Sequence, residues 1–410
     1  MSDTPWFRDG RLHYGVGIED TFIPQESLGH RKLDEYELTQ HYARWEGDLE
    51  LVAASGAEFV RWGIPWYLVE PQPGEFDWSW VDQVAERMRG LGLRCIVDLM
   101  HYGTPLWLEN SFLNASYPER VAAYGRAVAE RYRDVFTDFT PLNEPVVNAE
   151  WCGENAKWPP YLSGHDGFIK VTMQLARGMV RTQQEIAAVH PEAVFVHVDA
   201  GFLYRGEGLP PSSSLSRELL EERRFVALDL ATGRFDENSA LHPWLTGHGV
   251  TEAELQWFRD NPVVPDVIGV NYYPHFTTGE FVDGVLKPVH NDGGGLRTLI
   301  ELYSRRYGLP IAVTETSLVG TPAEKIDWMR ESAEVLAELR REGHDIVGFT
   351  WFPFFSMVDW LYRFDQLKPD DWMLHFGIVD LVRGADLGLE RVRNEAFEVY
   401  RELAEGARQG

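Results

Sequence analysis

Leu93-Arg94-Cys95-Ile96-Val97-Asp98-Leu99-Met100 is a near-continuous apolar run, bounded by Gly92 on one side and by His101-Tyr102-Gly103 on the other. A parallel strand covered by helices on both faces reads this way, because neither face alternates with polar residues. Outward from that run, strand-like and helix-like stretches alternate to both ends of the chain. Upstream, strands are expected near Leu12–Ile18 and Glu58–Ile64, with helices near Thr39–Ala54 and Trp78–Leu91, the latter spaced Val81, Val84, Met88, Leu91. Downstream, Pro118 opens a helix to about Arg133, proline being favoured early in a helix. A strand before Asn143-Glu144 follows, then a loop rich in Trp, Pro and Gly (Trp151–Gly167) and a helix to about His190. Further strands are expected at Ala193–Val198, Asp266–Asn271, Ile311–Thr314 and Ile346–Thr350, and helices at Leu219–Ala231, Leu296–Tyr307, Pro322–Glu342 and Leu387–Ala404. Eight such units, with no Gly/Ser-rich linker between them, predict an α/β chain folded as one (β/α)8 barrel over residues 1–410 with long loops. A doubly wound sheet would need a glycine-rich phosphate turn after an early strand, and none is present.

The formal charge of −26, from 64 acidic against 38 basic residues, argues against nucleic-acid and anionic-membrane partners. The start, Met1-Ser2-Asp3-Thr4-Pro5-Trp6, lacks the basic and apolar regions of a secretion signal, and no apolar run reaches the length of a membrane span. Two cysteines, Cys95 and Cys152, are too few for a disulfide framework. A cytoplasmic location is expected, and a homo-oligomer stays open. Fifteen tryptophans are a high count that either a large core or a cleft stacking on the apolar faces of sugar rings accounts for.

In a barrel of this kind the reactive side chains sit at the carboxyl ends of the strands. Those ends carry Arg61, His101, Asn143, Glu144, Asn271, Tyr273, Glu315 and Trp351. Any one of them alone is an ordinary loop residue; together they line one mouth. In Thr140-Pro141-Leu142-Asn143-Glu144-Pro145 the proline biases Glu144 away from helical backbone, placing a carboxylate where a strand stops and a loop begins. Glu315 is a second carboxylate in a like setting. Glycoside cleavage with retention uses two carboxyls about 5–5.5 Å apart, one protonated and one ionised. Arg61 is placed to keep Glu315 ionised and Tyr273 to orient it, while Glu144, with less cationic support, is expected to rise in pKa.

These stretches resemble glycoside hydrolase family 1, the β-glucosidase family. Thr140–Pro145 is similar to that family's T-x-N-E-P, which makes Glu144 the implied acid/base and Asn143 an implied contact of the sugar 2-hydroxyl. Val313-Thr314-Glu315-Thr316-Ser317 resembles (I/V)-T-E-N-G, with Glu315 the implied nucleophile. Asp266–Tyr273 is similar to D-F-L-G-x-N-Y-Y, Phe59–Trp66 to Y-R-F-S-I-S-W, and His101–Leu108 to H-W-D-x-P-x-x-L. The resemblance implies substrate-binding roles for Arg61, His101, Tyr102, Asn271, Tyr273 and Trp351, a small carbohydrate or glycoside as substrate, and no cofactor or metal.

Departures from the pattern fall on the sugar-recognising positions. After the first strand, Tyr14-Gly15-Val16-Gly17-Ile18-Glu19-Asp20-Thr21 has no glutamine where the family places one, leaving Glu19 or Asp20 either to act there or to cap a helix. Asp359-Trp360 resembles the family's late E-W pair, one methylene shorter and displaced by a residue, and both are expected at the substrate. Tyr102 stands for tryptophan and Thr316-Ser317 for Asn-Gly. The resemblance thus implies a retaining β-glycosidase whose glycone is open; transglycosylation, a related barrel glycosidase or a non-catalytic sugar binder are the alternatives. Thirteen histidines include no metal-binding pair, Gly293-Gly294-Gly295 lacks the lysine of a phosphate loop, and Pro210-Pro211-Ser212-Ser213-Ser214 reads as a surface loop.

Overall fold

The computed structural model describes residues 5–206, 215–385 and 387–409; the Pro210–Ser214 stretch lies outside them. Eight parallel strands form a closed barrel. They are β1 (His13–Gly17), β2 (Phe59–Gly63), β3 (Arg94–Asp98), β4 (Asp138–Thr140), β5 (Val194–Asp199), β6 (Val267–Asn271), β7 (Ile311–Thr316) and β8 (Ile346–Trp351). Neighbours follow chain order, and the ring closes by pairing His13 with Gly348 and Val16 with Trp351. The (β/α)8 architecture predicted from the alternation of elements is the one observed.

The outer layer consists of α1 (His41–Ala54), α2 (Ser79–Leu91), α3 (Tyr117–Arg131), α4 (Gly164–Val189), α5 (Val226–Ala231), α6 (Gly293–Tyr307), α7 (Pro322–Arg341) and α8 (Glu395–Gln409). Their sequences explain them. α2 buries Val81, Val84, Ala85 and Met88 along one stripe and stops at Gly92, whose φ of 65° suits glycine. α7 begins with a reciprocal Thr321/Glu324 capping box and Pro322 in the first turn.

Inside the ring, Phe59, Ile96, Val196, Val198, Val267, Ala312 and Val347 pack with Trp6 and Phe7, so the N-terminal turn (Trp6–Arg8) joins the barrel's own interior cluster. The Trp6 indole donates to Asp138 Oδ1 at 2.5 Å, tying that turn to β4. Because side chains alternate along a strand, Arg61 and Asp98 follow Phe59 and Ile96 on the same inward face. The charged layer therefore sits directly above the apolar one, at the carboxyl end of the barrel.

Three expectations need correction. Leu387–Ala404 is not one helix: Leu389–Arg393 pairs antiparallel with Val379–Arg383, and α8 starts only after Asn394, whose side chain accepts from Ala396 N at 3.1 Å. Leu219–Ala231 is broken into Arg217–Arg223 and α5 by Arg224-Phe225. After Glu144 the chain does not open directly into a loop but into a short helix, Pro145–Ala149, continued by a wide turn over Glu150–Glu154. A three-stranded sheet of Leu203–Arg205, Thr278–Val282 and Val285–Pro288, not anticipated from sequence, stands beside the mouth above β5 and β6. Among the described residues no helix is long and apolar enough to cross a membrane.

Candidate active site

Arg61 is the hub of the mouth. It has no exposed surface and donates through Nη1 to Glu315 Oε1 at 2.8 Å and to the Thr314 carbonyl at 3.1 Å. Through Nη2 it donates to Asp98 Oδ2 at 2.7 Å and Asn143 Oδ1 at 3.0 Å. Four strands are thereby linked by one planar fork, an arrangement guanidinium supports and ammonium does not.

Glu315 owes its direction to an irregularity in β7. The register slips between Val313 and Glu315 against β6 and between Val313 and Thr316 against β8, and a strand that slips in this way re-aims its side chains. Its second oxygen, Oε2, accepts from Tyr273 OH at 2.7 Å. Glu144 is turned inward by a left-handed backbone (φ 44°, ψ 65°) just before Pro145 begins the short helix. Tyr102 at the neighbouring strand end also has positive φ (82°), and its hydroxyl donates to Glu144 Oε2. Two adjacent non-glycine residues held in this region mark a site over-determined by its surroundings. Glu144 Oε1 accepts from Asn271 Nδ2 at 2.8 Å, and Thr314 Oγ1 fixes that amide by donating to Asn271 Oδ1 at 2.7 Å.

The two glutamates feel each other. Burial and the facing Glu144 push Glu315 up to about 7, against the pull of Arg61, His101 and Tyr273. Burial raises Glu144 as well, partly offset by the Tyr102 and Asn271 hydrogen bonds. Such a pair loses its protons in two steps that belong to both groups, and holds one proton between them over a range reaching neutrality.

His101 Nδ1 lies 2.8 Å from Asp20 Oδ1 and 3.5 Å from Asp98 Oδ2. Burial lowers its pKa, but Asp20, Asp98 and Glu19 prevail and leave it well above the usual range. Asn143 works against them. Its carbonyl is taken by Arg61, so it turns its NH2 to His101 Nε2 at 3.0 Å, where a lone pair is required. Asp20, Asp98 and His101 also bring three potential metal ligands within 4.8 Å of one another, as do the more exposed Glu301, Glu342 and His344. In the first group the Arg61 guanidinium already occupies Asp98.

The remaining sequence candidates divide. Trp351 is fully buried and donates to the Phe376 carbonyl at 3.3 Å. Trp360 packs its ring 5.3 Å from Tyr102 and 5.0 Å from Trp158, inside an aromatic cluster with Trp151. Asp359 caps its own turn, its Oδ1 accepting from Leu361 N at 2.8 Å. Glu19 accepts from Thr21 N at 3.1 Å and from Thr21 Oγ1 at 2.6 Å, a loop-capping contact that leaves Oε2 uncommitted. Sequence reading missed Asp98 and Asp199. Both are acids at the carboxyl ends of buried strands, β3 and β5, each directly after a buried valine (Val97, Val198), and that misfit is the available signal. Beside Tyr273 a cavity of about 200 Å³ is lined by Glu150, Phe202, Tyr204, Phe276, Thr278, Gly279, Leu286 and Pro288. Burial pushes Glu150, its one acid, up to about 7, against the pull of Arg223.

Residues 36–136 match the glycoside hydrolase 42 family model, described as beta-galactosidase. Over 90% of its length the chain is 22% identical to the aryl-phospho-beta-D-glucosidase BglA of Bacillus subtilis, covering 86% of that protein. It is 23% identical to a bifunctional beta-D-glucosidase/beta-D-fucosidase of Bifidobacterium breve over 88% of this chain and 86% of that one. The fold matches a family 1 β-glucosidase from Thermotoga maritima with a TM-score of 0.79 at 17% identity, covering 99% of both chains. A structure of a Thermotoga maritima β-glucosidase in complex with deoxynojirimycin matches with a TM-score of 0.77 over 99% of both chains, again at 17% identity. By sequence this chain is therefore a homologue of glycoside hydrolases, β-glucosidases and phospho-β-glucosidases among them, and by fold a (β/α)8 barrel of the β-glucosidase kind.

Proposed function

We propose that the protein is a retaining β-glycosidase in which Glu315 is the nucleophile and Glu144 the acid/base. The observation that carries the assignment of roles is the unequal support of two mutually repelling carboxyls. Glu315 has a direct ion pair with Arg61, whereas Glu144 is held by the neutral donors Tyr102 and Asn271. With one proton between them, the charge belongs on Glu315 and the proton on Glu144.

The reaction follows in two displacements. Glu315 Oε2 or Oε1 bonds to the anomeric carbon as the bond to the leaving oxygen breaks, and Glu144 gives its proton to that oxygen. Glu144, now ionised, takes a proton from water as the water oxygen attacks the same carbon and releases Glu315. Tyr273 shares the charge of Glu315 before the attack and after release. An alcohol in place of water makes the same site a transglycosidase. The apolar cavity beside Tyr273 suits an aromatic or alkyl leaving group. The relatives leave several glycones in view, glucose, fucose and galactose among the plain sugars and a 6-phosphorylated glucose beside them.

Intact-protein mass after exposure to activated 2-deoxy-2-fluoro β-glycosides tests the assignment. One added sugar mass on the wild type, absent in Glu315→Gln, is the expected result. A sugar adduct that persists in Glu315→Gln overturns it.

A further inference from the structure

One carboxyl near the mouth is not accounted for by these steps. Glu35 opens the short helix Glu35–Leu38 after the loop that follows β1, and it belongs to none of the stretches that carry the family resemblance. It has no exposed surface. Its Oε2 accepts from Val358 N at 3.1 Å, while Oε1 has no hydrogen-bond partner. Leaving such an oxygen buried and unpaired is costly, so a partner is expected from outside the chain.

The surroundings indicate which partner. Glu35 N–H donates to the Thr21 carbonyl at 3.1 Å, and the same Thr21 holds Glu19 through its N–H and hydroxyl. Val358 precedes Asp359-Trp360, and the Trp360 ring rests on Tyr102, which donates to Glu144. The indole N–H of Trp360 is likewise buried without a partner. Glu35 is thus linked to Tyr102 and Glu144 through Val358 and the Asp359-Trp360 turn, on the side of the mouth formed by the loops after β1 and β8. The cavity beside Tyr273 lies on the other side, above β5 and β6. Asp359, the residue similar to the family's glutamate, spends its carboxylate on its own turn. The charges acting most strongly on Glu35 are all acidic, namely Glu19, Asp34 and Asp359, and with burial they raise it well above the usual carboxylate range.

Resting on the β-glycosidase reading above, we infer that Glu35 is a specificity-determining residue: its free oxygen bonds a hydroxyl on the glycone away from the scissile bond. The acidic wall it forms with Glu19 rejects a glycone phosphorylated there. A hydroxyl both donates and accepts, so it satisfies this carboxyl in either protonation state. A phosphate monoester brings about two negative charges to a carboxyl whose strongest charged neighbours, Glu19, Asp34 and Asp359, are all acidic.

The test uses 4-nitrophenyl glycosides of whichever sugar labels Glu315, with the 6-phosphate and the 4-deoxy and 6-deoxy analogues. Wild-type kcat/KM is expected to favour the plain glycoside over its 6-phosphate by at least about 100-fold. Glu35→Ala is expected to lower kcat/KM on the plain glycoside on the order of 10- to 100-fold, and by much less on one of the two deoxy analogues. Glu35→Gln, which keeps an acceptor for Val358 N–H, guards against a folding defect and is expected to shift the same ratio by a smaller factor. Equal losses on all analogues, or a wild type that prefers the 6-phosphate, overturn the inference while leaving the glycosidase reading intact. A wild type that neither turns over nor is labelled by any glycoside overturns both.

Discussion

Arg61 shows how much one side chain sets in this site. Removing it strands Asp98, whose pKa lies low because Arg61 and His101 outweigh its burial. Arg61→Met is therefore expected to cost about 3–5 kcal/mol in urea unfolding, the usual penalty for an uncompensated buried charge. Activity carries a second prediction at this scale. The working form holds one proton between Glu144 and Glu315, and the upper step of the pair lies near neutrality, since Glu315 is pushed up to about 7. kcat/KM should fall as pH rises through roughly 7, where that proton is lost from the free enzyme. A profile flat to pH 9 would contradict the shared proton. Asp199 allows a cleaner titration argument. Burial, with Glu144 nearby, raises its pKa well above the usual aspartate value, and Oδ2 has no partner. The folded state keeps a proton that the unfolded chain releases, so stability falls as pH climbs from the unfolded pKa of about 3.9 toward the folded one. Asp199→Asn should be more stable than wild type at pH 8 and little different at pH 4. Urea midpoints at the two values read the difference directly. Glu144, Glu315, Arg61 and Tyr273 were legible because they sit in recognisable stretches at strand ends. Glu35 was not, because a glutamate in Leu33-Asp34-Glu35-Tyr36-Glu37 looks like any acidic helix start until its burial is known.

The same contrast holds for whole elements. Seven of the eight barrel strands lie within two residues of where the sequence places them, because each is a short, largely apolar run between turn signals, whereas the fourth, Asp138–Thr140, is expected only as a strand somewhere before Asn143. Leu389–Arg393 failed the same reading: in Leu-Glu-Arg-Val-Arg the periods of strand and helix both fit five residues, and only pairing with Val379–Arg383 decides. What no pattern announces is how close neighbouring strand ends come. A Cβ on Gly63 would lie 1.9 Å from Asp20 Oδ2, and one on Gly17 would lie 2.1 Å from the Phe352 ring, which itself stacks on His101. Both glycines are required by contact, not by backbone angle. Gly17→Ala is expected to cost about 1–3 kcal/mol through overpacking, and to lower kcat more than its stability loss alone would suggest, because Phe352 can yield only by moving His101. Gly63→Ala should displace Asp20 and so loosen the Nδ1 side of the same imidazole. Thermal midpoints compared with kcat at a temperature where each variant is fully folded separate the two effects.

At the scale of the whole molecule the balance of charge decides a different question. Acidic residues outnumber basic ones by 26, so even complete pairing of every cation leaves a large unpaired negative surface. Exposed pairs such as Arg126 with Glu130 and Glu185, or Arg131 with Asp82, are each worth about 0–1 kcal/mol and weaken in salt. The surplus charges repel over longer distances, and the Debye length shortens from about 30 Å at 0.01 M to about 10 Å at 0.1 M salt, which removes most of that repulsion. Partly buried pairs such as Arg391 with Asp48 are screened far less. The repulsive sum therefore loses more than the attractive one. Raising sodium chloride from 10 mM to 300 mM at pH 8 should raise the thermal midpoint by about 1 °C for each kcal/mol gained, the shift expected for a chain of this size. The sequence pI of about 4.9 sharpens the test. At pH 5 the net charge is near zero, the repulsion is already gone, and the same salt step should leave the midpoint unchanged or lower it. A midpoint that falls with salt at pH 8 would mean that paired surface charges outweigh the surplus.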